Sequence, residues 1–146
     1  MEIIKYDTRY NDEVVDLYIT VFSQAPWNET FDRNKVVNMV NNHAANNYFN
    51  AYLGIENGAV VAVSLGFMKP WYDGFEYYIE EFFVAPNSQH SGRGTALMAA
   101  IRQDLLQQDI HAIILMTRRD SPAAKFYTKD GFNAEPDLLV LDSYFK

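Results

Sequence analysis

The spacing of apolar residues along the chain predicts a mixture of helices and strands. A helical spacing of apolar side chains begins after Asn11-Asp12, where Asn or Asp can cap the helix, and a more polar helical pattern runs from residue 32 to about residue 46. Two β-rich runs between residues 48 and 67 flank Asn57-Gly58, which favours a hairpin because both central residues of a type I′ turn need positive φ. The continuous apolar run at residues 111–117 is typical of a strand covered on both faces.

The predicted elements follow the order βααβββαβαββ, which indicates an α/β fold with helices on both faces of one sheet. The other predicted segments are a strand at residues 2–6, a loop at 69–74, a helix opened by Ser121-Pro122, and strands at 132–134 and 138–144. The chain has no internal repeat, linker or low-complexity segment, so the sequence predicts one domain over residues 1–146.

The composition limits the chemistry that the chain can perform. Of the 146 residues, 49% are apolar and 21% are charged, which is typical of a globular protein. There is no cysteine, so disulfides, thiolate metal ligands and a cysteine nucleophile are excluded. The three histidines, His43, His90 and His111, show no ligand spacing, and the sequence therefore predicts no metal site.

The charge of the chain bears on its partners and location. A formal net charge of −7 disfavours nucleic acid, because phosphate backbones are bound by surfaces rich in Lys and Arg. The same charge is compatible with a cationic substrate such as an amine, which an acidic protein attracts. Because the amino terminus is polar and no apolar run could cross a bilayer, the sequence predicts no membrane partner and a cytoplasmic location.

Residues 77–105 combine a β-rich apolar run, a turn at Pro86, a glycine loop and an amphipathic helix. The loop reads Gln89-His90-Ser91-Gly92-Arg93-Gly94-Thr95. Its two glycines lack a Cβ, so the backbone can approach a ligand closely. The first N–H groups of a helix have no internal partner, and the helix dipole adds partial positive charge there. The loop is therefore a candidate binding site for phosphate oxygens.

Gln-x-x-Gly-x-Gly after a strand that ends in Val-x-Pro resembles the acyl-CoA pyrophosphate loop of the GNAT superfamily of N-acetyltransferases. The predicted element order matches that family too, and the resemblance covers nearly the whole chain. It implies a single mixed, mostly antiparallel sheet, acetyl-CoA as cosubstrate, and homodimerisation as a family habit. It also implies that the cofactor contacts the end of the strand and the loop, through Phe83, Val84, Gln89, His90, Ser91, Gly92, Arg93, Gly94 and Thr95.

A second segment, residues 120–132, resembles the fourth-helix motif of the same family, in which a helix of small residues ends in Phe-Tyr and is followed by Gly-Phe. The resemblance places Tyr127 near the thioester sulfur, where a tyrosine hydroxyl can protonate the CoA thiolate as it leaves. Asp120, a candidate cofactor contact, stands where the family often has asparagine. The alternative interpretation of Tyr127 is an aromatic packing residue on a short helix.

Two carboxylates, Glu80 and Glu81, stand inside the apolar strand, where a free carboxylate is costly unless it is paired or hydrated. Successive side chains point to opposite faces, so the two glutamates have different environments. A protonated amine must lose a proton before it attacks the acetyl carbon, and a glutamate could accept that proton directly or through a water. Strand parity favours Glu80 as the base, with both glutamates as substrate contacts; a surface-paired glutamate explains either one equally well.

Two tryptophans stand in proline-containing stretches, Pro26-Trp27 and Pro70-Trp71. Trp27 and Trp71 could line an acceptor pocket or hold a cation by the π face, and they could equally be core residues. The stretch Ala25–Glu29 resembles the early loop of GNAT members of the aminoglycoside acetyltransferase type.

These features together predict an N-acetyltransferase that moves an acetyl group from acetyl-CoA to a primary amine of a small molecule. Transfer is expected to be direct, because the lack of cysteine excludes an acetyl-cysteine intermediate. Two alternatives stay open: a non-catalytic acyl-CoA sensor, and an acetyltransferase that acts on protein or peptide amines. An aminoglycoside-like amine, a polyamine and a peptide amine are not separated as acceptors.

Overall fold

The computed structural model describes residues 1–88 and 91–146, and within them the chain forms two compact units, Met1–Met116 and Thr117–Lys146. The first unit contains β1 (Glu2–Lys5), α1 (Asn11–Phe22), α2 (Arg33–Ala44), β2 (Phe49–Glu56), β3 (Ala59–Trp71), β4 (Gly74–Val84), α3 (Arg93–Gln107) and β5 (Ile113–Leu115). The second unit contains α4 (Pro122–Lys129). One domain over the whole chain stays a prediction. No described helix has the length and apolar character needed to traverse a lipid bilayer.

The five strands form one sheet in the order β1-β2-β3-β4-β5, so neighbours in sequence are neighbours in space. The first four strands pair antiparallel, and β5 pairs parallel to β4 after the crossover through α3. A parallel neighbour needs such a crossover, because a tight turn can only reverse the chain. The predicted single mixed, mostly antiparallel sheet is confirmed.

The two faces of the sheet are covered by different helices. Leu53 of β2 lies in the core that α1 and α2 build with Val14 and Val40, and all three side chains are almost fully buried. The neighbouring Tyr52 points the other way, where its hydroxyl donates to Asp104 of α3 at 2.7 Å. Full burial of such a Val or Leu side chain contributes about 1.5–3 kcal/mol. The predicted placement of helices on both faces is therefore confirmed.

A β-bulge interrupts the pairing of β3 with β4. Leu65 pairs with Glu81 and the next residue, Gly66, pairs with Ile79, so Glu80 is an extra residue on β4. An extra residue shifts the alternation of side chains by one position. The parity of β4 therefore reverses at Glu80.

Two aromatic residues show the reversal directly. Tyr77 lies on the α3 face, where its hydroxyl is 2.9 Å from Ser64 Oγ and its ring is 5.7 Å from the ring of Tyr52. Phe83 is six residues further on, yet it lies in the core on the α1 and α2 face, with its ring 5.6 Å from that of Tyr18. In a regular strand two residues separated by an even number would share one face.

Gly66 makes room for this bulge. A Cβ at residue 66 would lie 2.3 Å from the Tyr78 carbonyl oxygen and 2.7 Å from a ring carbon of Tyr77. Neither neighbour can move away freely, because one is backbone and the other is a fully buried ring. The position opposite the bulge therefore requires glycine.

The cap predicted at Asn11 or Asp12 is wrong, because α1 begins at Asn11 and its N-cap is Tyr10, which makes no side-chain cap hydrogen bond. The other turn and cap predictions agree with the backbone. Asn57 and Gly58 have φ of 52° and 79°, as a type I′ turn requires. Ser121 Oγ accepts from Ala124 N at 3.0 Å and caps α4, whose first residue is Pro122. Gly131, with φ of 95°, follows the end of α4 as predicted for a C-terminal cap.

Four segments differ from the sequence prediction. Residues 69–74, predicted as a loop, continue β3 to Trp71 and β4 from Gly74, and Pro70 is tolerated because β3 has run past its pairing with β2 there. The strand predicted at 111–117 is shortened to Ile113–Leu115, and its residues are only half-buried. The strands predicted at 132–134 and 138–144 are wrong: apolar residues favour a strand, but a strand also needs a neighbouring backbone, and none pairs with these residues in the described chain.

Candidate functional site

Glu81 lies on the α1 face of the sheet because the bulge has reversed the parity of β4. Its cross-strand partner Leu65 belongs to the core on that face, and opposite residues of an antiparallel pair point to the same side. The Glu81 side chain is partly buried there. Burial, with smaller contributions from the charges of Glu80 and Glu29, raises the pKa of Glu81 to about 7.

Glu80, the extra residue of the bulge, is exposed. Glu80 was predicted as the base on the assumption that side chains alternate regularly along β4. The bulge breaks this alternation. The two carboxylates do have different environments, as expected. Besides burial, it is the charge of Glu81, rather than that of Glu80, that raises the pKa of the partly buried Tyr18.

Aromatic rings line the surroundings of Glu81. The ring of Tyr18 on α1 lies 4.7 Å from that of Phe22, 5.3 Å from that of Phe31 and 5.6 Å from that of Phe83. Trp27 follows α1 and packs edge-on against Phe22 at 5.1 Å. Burial first, and then the charges of Glu81 and Glu29, raise the pKa of Tyr18 to about 12, so its hydroxyl keeps its proton at neutral pH.

We call Tyr18, Trp27, Glu29, Phe31 and Glu81 the Glu81 cluster. Carboxylates beside aromatic faces attract a cation by charge and by the ring quadrupole. The cluster can therefore hold an ammonium group and offers a carboxylate whose pKa suits proton exchange near neutral pH.

Trp71 lies apart from this cluster. It ends β3 at the tip of the hairpin, six positions beyond Leu65, which pairs with Glu81. At the rise of a β-strand this separation is about 20 Å. Trp71 is 54% exposed and its ring is 5.2 Å from that of Tyr72. Trp27, in contrast, packs against Phe22, which is next to Tyr18, the ring whose hydroxyl pKa is raised by burial and then by the Glu81 charge.

The glycine loop leads directly into α3. Gly92 caps the helix with φ of 83°. Apart from its two chain neighbours, no described residue has an atom within 4 Å of where a Cβ would be, so the space beside it is open. Ser91 Oγ donates to the Ser88 carbonyl and holds the approach to the helix. Gly94 is half-buried and Thr95 is exposed. The helix begins with backbone N–H groups next to open space, which fits a phosphate group.

Gln89 and His90, the first two predicted residues of the loop, lie outside the described residues. Their predicted contacts with the cofactor stay predictions.

Arg93, the first residue of α3, is paired through its side chain. Its Nε donates to Glu56 Oε2 at 3.1 Å and its terminal nitrogen donates to Glu56 Oε1 at 2.6 Å. The guanidinium lowers the pKa of Glu56. This pair ties the start of α3 to the end of β2, so Arg93 would meet a phosphate through its backbone N–H unless the pair opens.

The end of β4 has a neighbouring strand on one side only in the described structure. It pairs with β3 as far as Val84, whereas β5 accompanies β4 only along Tyr77–Ile79. The Phe83 side chain is 3% exposed and belongs to the core. The Phe83 ring is therefore not exposed to a ligand at this end of β4, and the predicted contact of Phe83 with the cofactor stays a prediction.

The second unit carries Asp120 and Tyr127. Asp120 has φ of 60°, a backbone conformation in which Asp and Asn are both enriched. Tyr127 on α4 is 8% exposed, and its ring lies 5.3 Å from that of Phe126 and 5.4 Å from that of Phe132. Its carbonyl accepts from Phe132 N at 2.9 Å. Within this unit Tyr127 is thus fixed between aromatic neighbours, and its predicted catalytic role stays a prediction.

Three residues of the Glu81 cluster, Tyr18, Glu29 and Phe31, were not singled out from the sequence. Tyr18 looks like any core residue, since it stands four positions before Phe22 on an amphipathic helix. Glu29 is part of the stretch that contains Trp27, which is the signal that could have found it. In the described residues no group of three or more His, Asp or Glu side chains could hold a metal ion.

The chain is similar to known proteins in family pattern and in fold. Residues 11–132 match the model of a family described as the acetyltransferase (GNAT) family. No curated protein matches the sequence.

Three solved structures superpose over almost their whole length. An aminoglycoside antibiotic 6′-N-acetyltransferase from Acinetobacter haemolyticus has a TM-score of 0.77 at 13% identity, with 100% of each chain covered. A predicted acetyltransferase with acetyl-CoA from Clostridium acetobutylicum has a TM-score of 0.69 at 21% identity, with 97% of this chain and 95% of that chain covered. The protein AAC(6')-Iy in complex with the bisubstrate analogue CoA-S-monomethyl-acetylneamine has a TM-score of 0.75 at 11% identity, with 99% and 98% covered. At such identities the similarity shows the fold alone.

The raised pKa of Glu81 predicts a pH-dependent stability. Between its ordinary value of 4.5 and about 7 the folded protein keeps a proton that the unfolded chain releases, so stability falls as pH rises through that range. The Glu81→Gln variant cannot titrate. Its free energy of unfolding relative to the parent should therefore rise by about 1–3 kcal/mol between about pH 4 and pH 8.

Urea unfolding at both pH values measures this change. The matched control is Glu80→Gln, which removes the exposed neighbour and should show a much smaller pH-dependent difference. An equal difference for the two variants would contradict the burial of the Glu81 carboxylate.

Proposed function

Because the chain belongs to the acetyltransferase (GNAT) family, whose model matches residues 11–132, we propose that it transfers an acetyl group from acetyl-CoA directly to a primary amine of a small cationic molecule. The predictions of an N-acetyltransferase and of acetyl-CoA as its cosubstrate are confirmed at the level of the family. The observation that carries the acceptor proposal is the position of Glu81, a partly buried carboxylate with a pKa of about 7 among aromatic rings.

The Glu81 cluster favours a cationic acceptor. Glu29 and Glu81 bring two carboxylates together, Glu80 adds a third charge nearby, and the rings of Tyr18 and Trp27 supply aromatic faces. The net charge of −7 attracts cations from a distance. The ligand of AAC(6')-Iy joins CoA to an acetylated neamine, which supports an acceptor with several amino groups. An aminoglycoside-like amine or a polyamine fits these features.

Acetyl-CoA would bind along the glycine loop and the end of β4. The open space at Gly92 and the first N–H groups of α3 suit the pyrophosphate. The pair of Arg93 with Glu56 holds the start of α3 in place for this purpose.

In the reaction the acceptor nitrogen loses two protons and the leaving sulfur gains one. The acceptor binds as an ammonium, and Glu81 takes one of its protons, directly or through a water. The freed nitrogen lone pair forms the new bond to the acetyl carbon while the bond from that carbon to sulfur breaks, and the sulfur leaves as a thiolate. Tyr127 donates its hydroxyl proton to that thiolate. The nitrogen releases its second proton to water, which leaves a neutral amide, and the tyrosine hydroxyl is reprotonated from water. The role of Tyr127 rests on its place in the Phe-Tyr-x-x-x-Gly-Phe pattern, and that of Glu81 rests on its position and its pKa.

Kinetics of two matched variants test the base. A base must be deprotonated, so kcat/KM of the parent should rise with pH through the pKa of Glu81, near 7. Glu81→Gln should lower kcat/KM by about 10²–10³ and remove this rise, because removing a general base costs that much in typical enzymes. Glu80→Gln should change kcat/KM little. A panel of aminoglycosides and polyamines serves as acceptors, and a larger loss in Glu80→Gln than in Glu81→Gln would refute the assignment.

The role of Tyr127 is tested by removing only its hydroxyl. Tyr127→Phe keeps the ring that packs against Phe126 and Phe132, so the fold and acetyl-CoA affinity should persist. Turnover should fall by about 10² because the thiolate leaves without a proton. Steady-state assays of kcat measure the loss of turnover, and calorimetric titration with acetyl-CoA measures the affinity for the cosubstrate. Unchanged kcat would leave Tyr127 as a packing residue.

A further inference from the structure

The β3–β4 hairpin carries aromatic residues that the core of the protein does not use. The described core on the α1 face includes Leu65 of β3 but not Phe67 or Tyr78. These two rings are half-buried and stack on each other, with centroids 5.4 Å apart and an angle of 28° between their planes. Trp71, which was predicted to contact the substrate, lies further along β3 and is exposed. Exposed aromatic surface of this kind is typical of an interaction site.

The strand pairing shows which residues of the hairpin share a face. Leu65 faces α1, and the residues that follow it at intervals of two along β3 point to the same side. Opposite residues of an antiparallel pair also share a side, which adds the partners of these residues on β4. The outer hairpin face, as we call it, therefore consists of Phe67, Lys69 and Trp71 of β3 with Glu76 and Tyr78 of β4. It continues the side of the sheet on which Glu81 lies.

Glu76 is the carboxylate of the outer hairpin face, and its surroundings resemble those of Glu81. Its side chain is 19% exposed, and the Lys69 ammonium lies 4.0 Å from Glu76 Oε1. Its diagonal neighbours on β3 are Phe67 and Trp71, and aromatic side chains reach across such diagonals. A carboxylate beside aromatic rings attracts a cation. A separation of 4.0 Å is longer than a hydrogen bond, so a second ammonium can approach the same carboxylate.

The charge of the hairpin favours a cationic occupant over an anionic one. Between residues 67 and 78 the chain has one positive side chain, Lys69, and two negative ones, Asp73 and Glu76. The whole chain has a formal net charge of −7. Phosphate groups of nucleic acids or lipids are bound by surfaces rich in Lys and Arg, which this face is not.

We infer that the outer hairpin face is a second subsite for the acceptor, in which Glu76 binds an ammonium group remote from the one held at Glu81. The β3 partners of the two glutamates are Leu65 and Lys69, which corresponds to a separation of about 13 Å along the strand. The stacked aromatic pair lies between them and offers an apolar surface to the part of the acceptor that joins the two amines. The acceptor is therefore an elongated amine with a second amino group, and its description as an acceptor rests on the proposed function.

Two long amines that differ only at one end test this subsite. Diaminodecane and aminodecanol have the same chain, and the extended chain of diaminodecane spans about 13 Å, close to four residues of extended backbone. Calorimetric titration of the full-length protein without acetyl-CoA gives the affinity for each amine in the absence of turnover. Diaminodecane should bind more tightly by about fivefold, as a partly exposed ion pair allows. Equal affinities would overturn the inference.

Variants of the two partners of the Lys69–Glu76 pair separate a binding role from a structural one. Glu76→Gln should remove the preference for diaminodecane, because the remote ammonium loses its carboxylate. Lys69→Met should increase the preference, because a competing ammonium is gone. If the pair only stabilised the hairpin, both variants would lose the same contact and would not shift the preference in opposite directions.

The control for net charge is Glu2→Gln on β1, which removes an exposed carboxylate from another strand and should leave the preference unchanged. A decrease or no change of the preference in Lys69→Met would overturn the inference. That variant also decides the question if Glu76→Gln does not fold, which circular dichroism shows.

Acetyl transfer to the same two amines is measured separately by the release of CoA. The parent should acetylate diaminodecane with the higher kcat/KM, and Glu76→Gln should make the two values similar. If neither amine is acetylated but the binding preference depends on Glu76, the proposed function fails and the cation subsite stands. If both amines are acetylated and bound equally well, the proposed function stands and the second subsite is wrong.

Discussion

A single extra residue in β4, Glu80, decides which side chains of that strand meet α1 and which meet α3. Before the bulge, Tyr77 fills the α3 face; after it, Glu81 and Phe83 face α1 and α2. Without the extra residue, the alternation of a strand would send Glu81 to the opposite face. The bulge is possible because Gly66 leaves space for the Tyr77 ring and the neighbouring backbone. The Glu81 cluster therefore depends on a glycine and a bulge that carry no chemistry themselves.

The bulge places a carboxylate where its charge is costly. Burial disfavours the ionised form of Glu81, and the charges of Glu80 and Glu29 add to that effect. The same environment raises its pKa towards neutrality, where a general base works best. A residue whose surroundings lower the stability of the fold while they shift its pKa is typical of a functional site. A bound ammonium would relieve the cost, since its positive charge compensates the carboxylates.

The sequence predicted much of the fold because its signals are local. Apolar periodicity located the helices, Asn57-Gly58 located a turn, and Ser121-Pro122 located a helix start. The facing of Glu80 and Glu81 could not be predicted, because the bulge depends on pairing with Gly66 across the sheet. The pair of Arg93 with Glu56 could not be predicted either, because the two residues are 37 positions apart in the sequence and meet only in the folded chain. The strands predicted at 132–134 and 138–144 were wrong for a related reason, because a strand needs a partner strand as well as apolar residues.

The pKa of the Glu81 carboxyl group is the most direct test of whether the bulge in β4 creates the proposed base. A ¹³C NMR titration of the glutamate side chains, with the Glu81→Gln variant to assign the resonance, gives the value without reference to any substrate. Burial of Glu81 among neighbouring carboxylates predicts a midpoint of about 7. A midpoint near the ordinary value of 4.5 would show that Glu81 is solvated, and the bulge would then not create the proposed base.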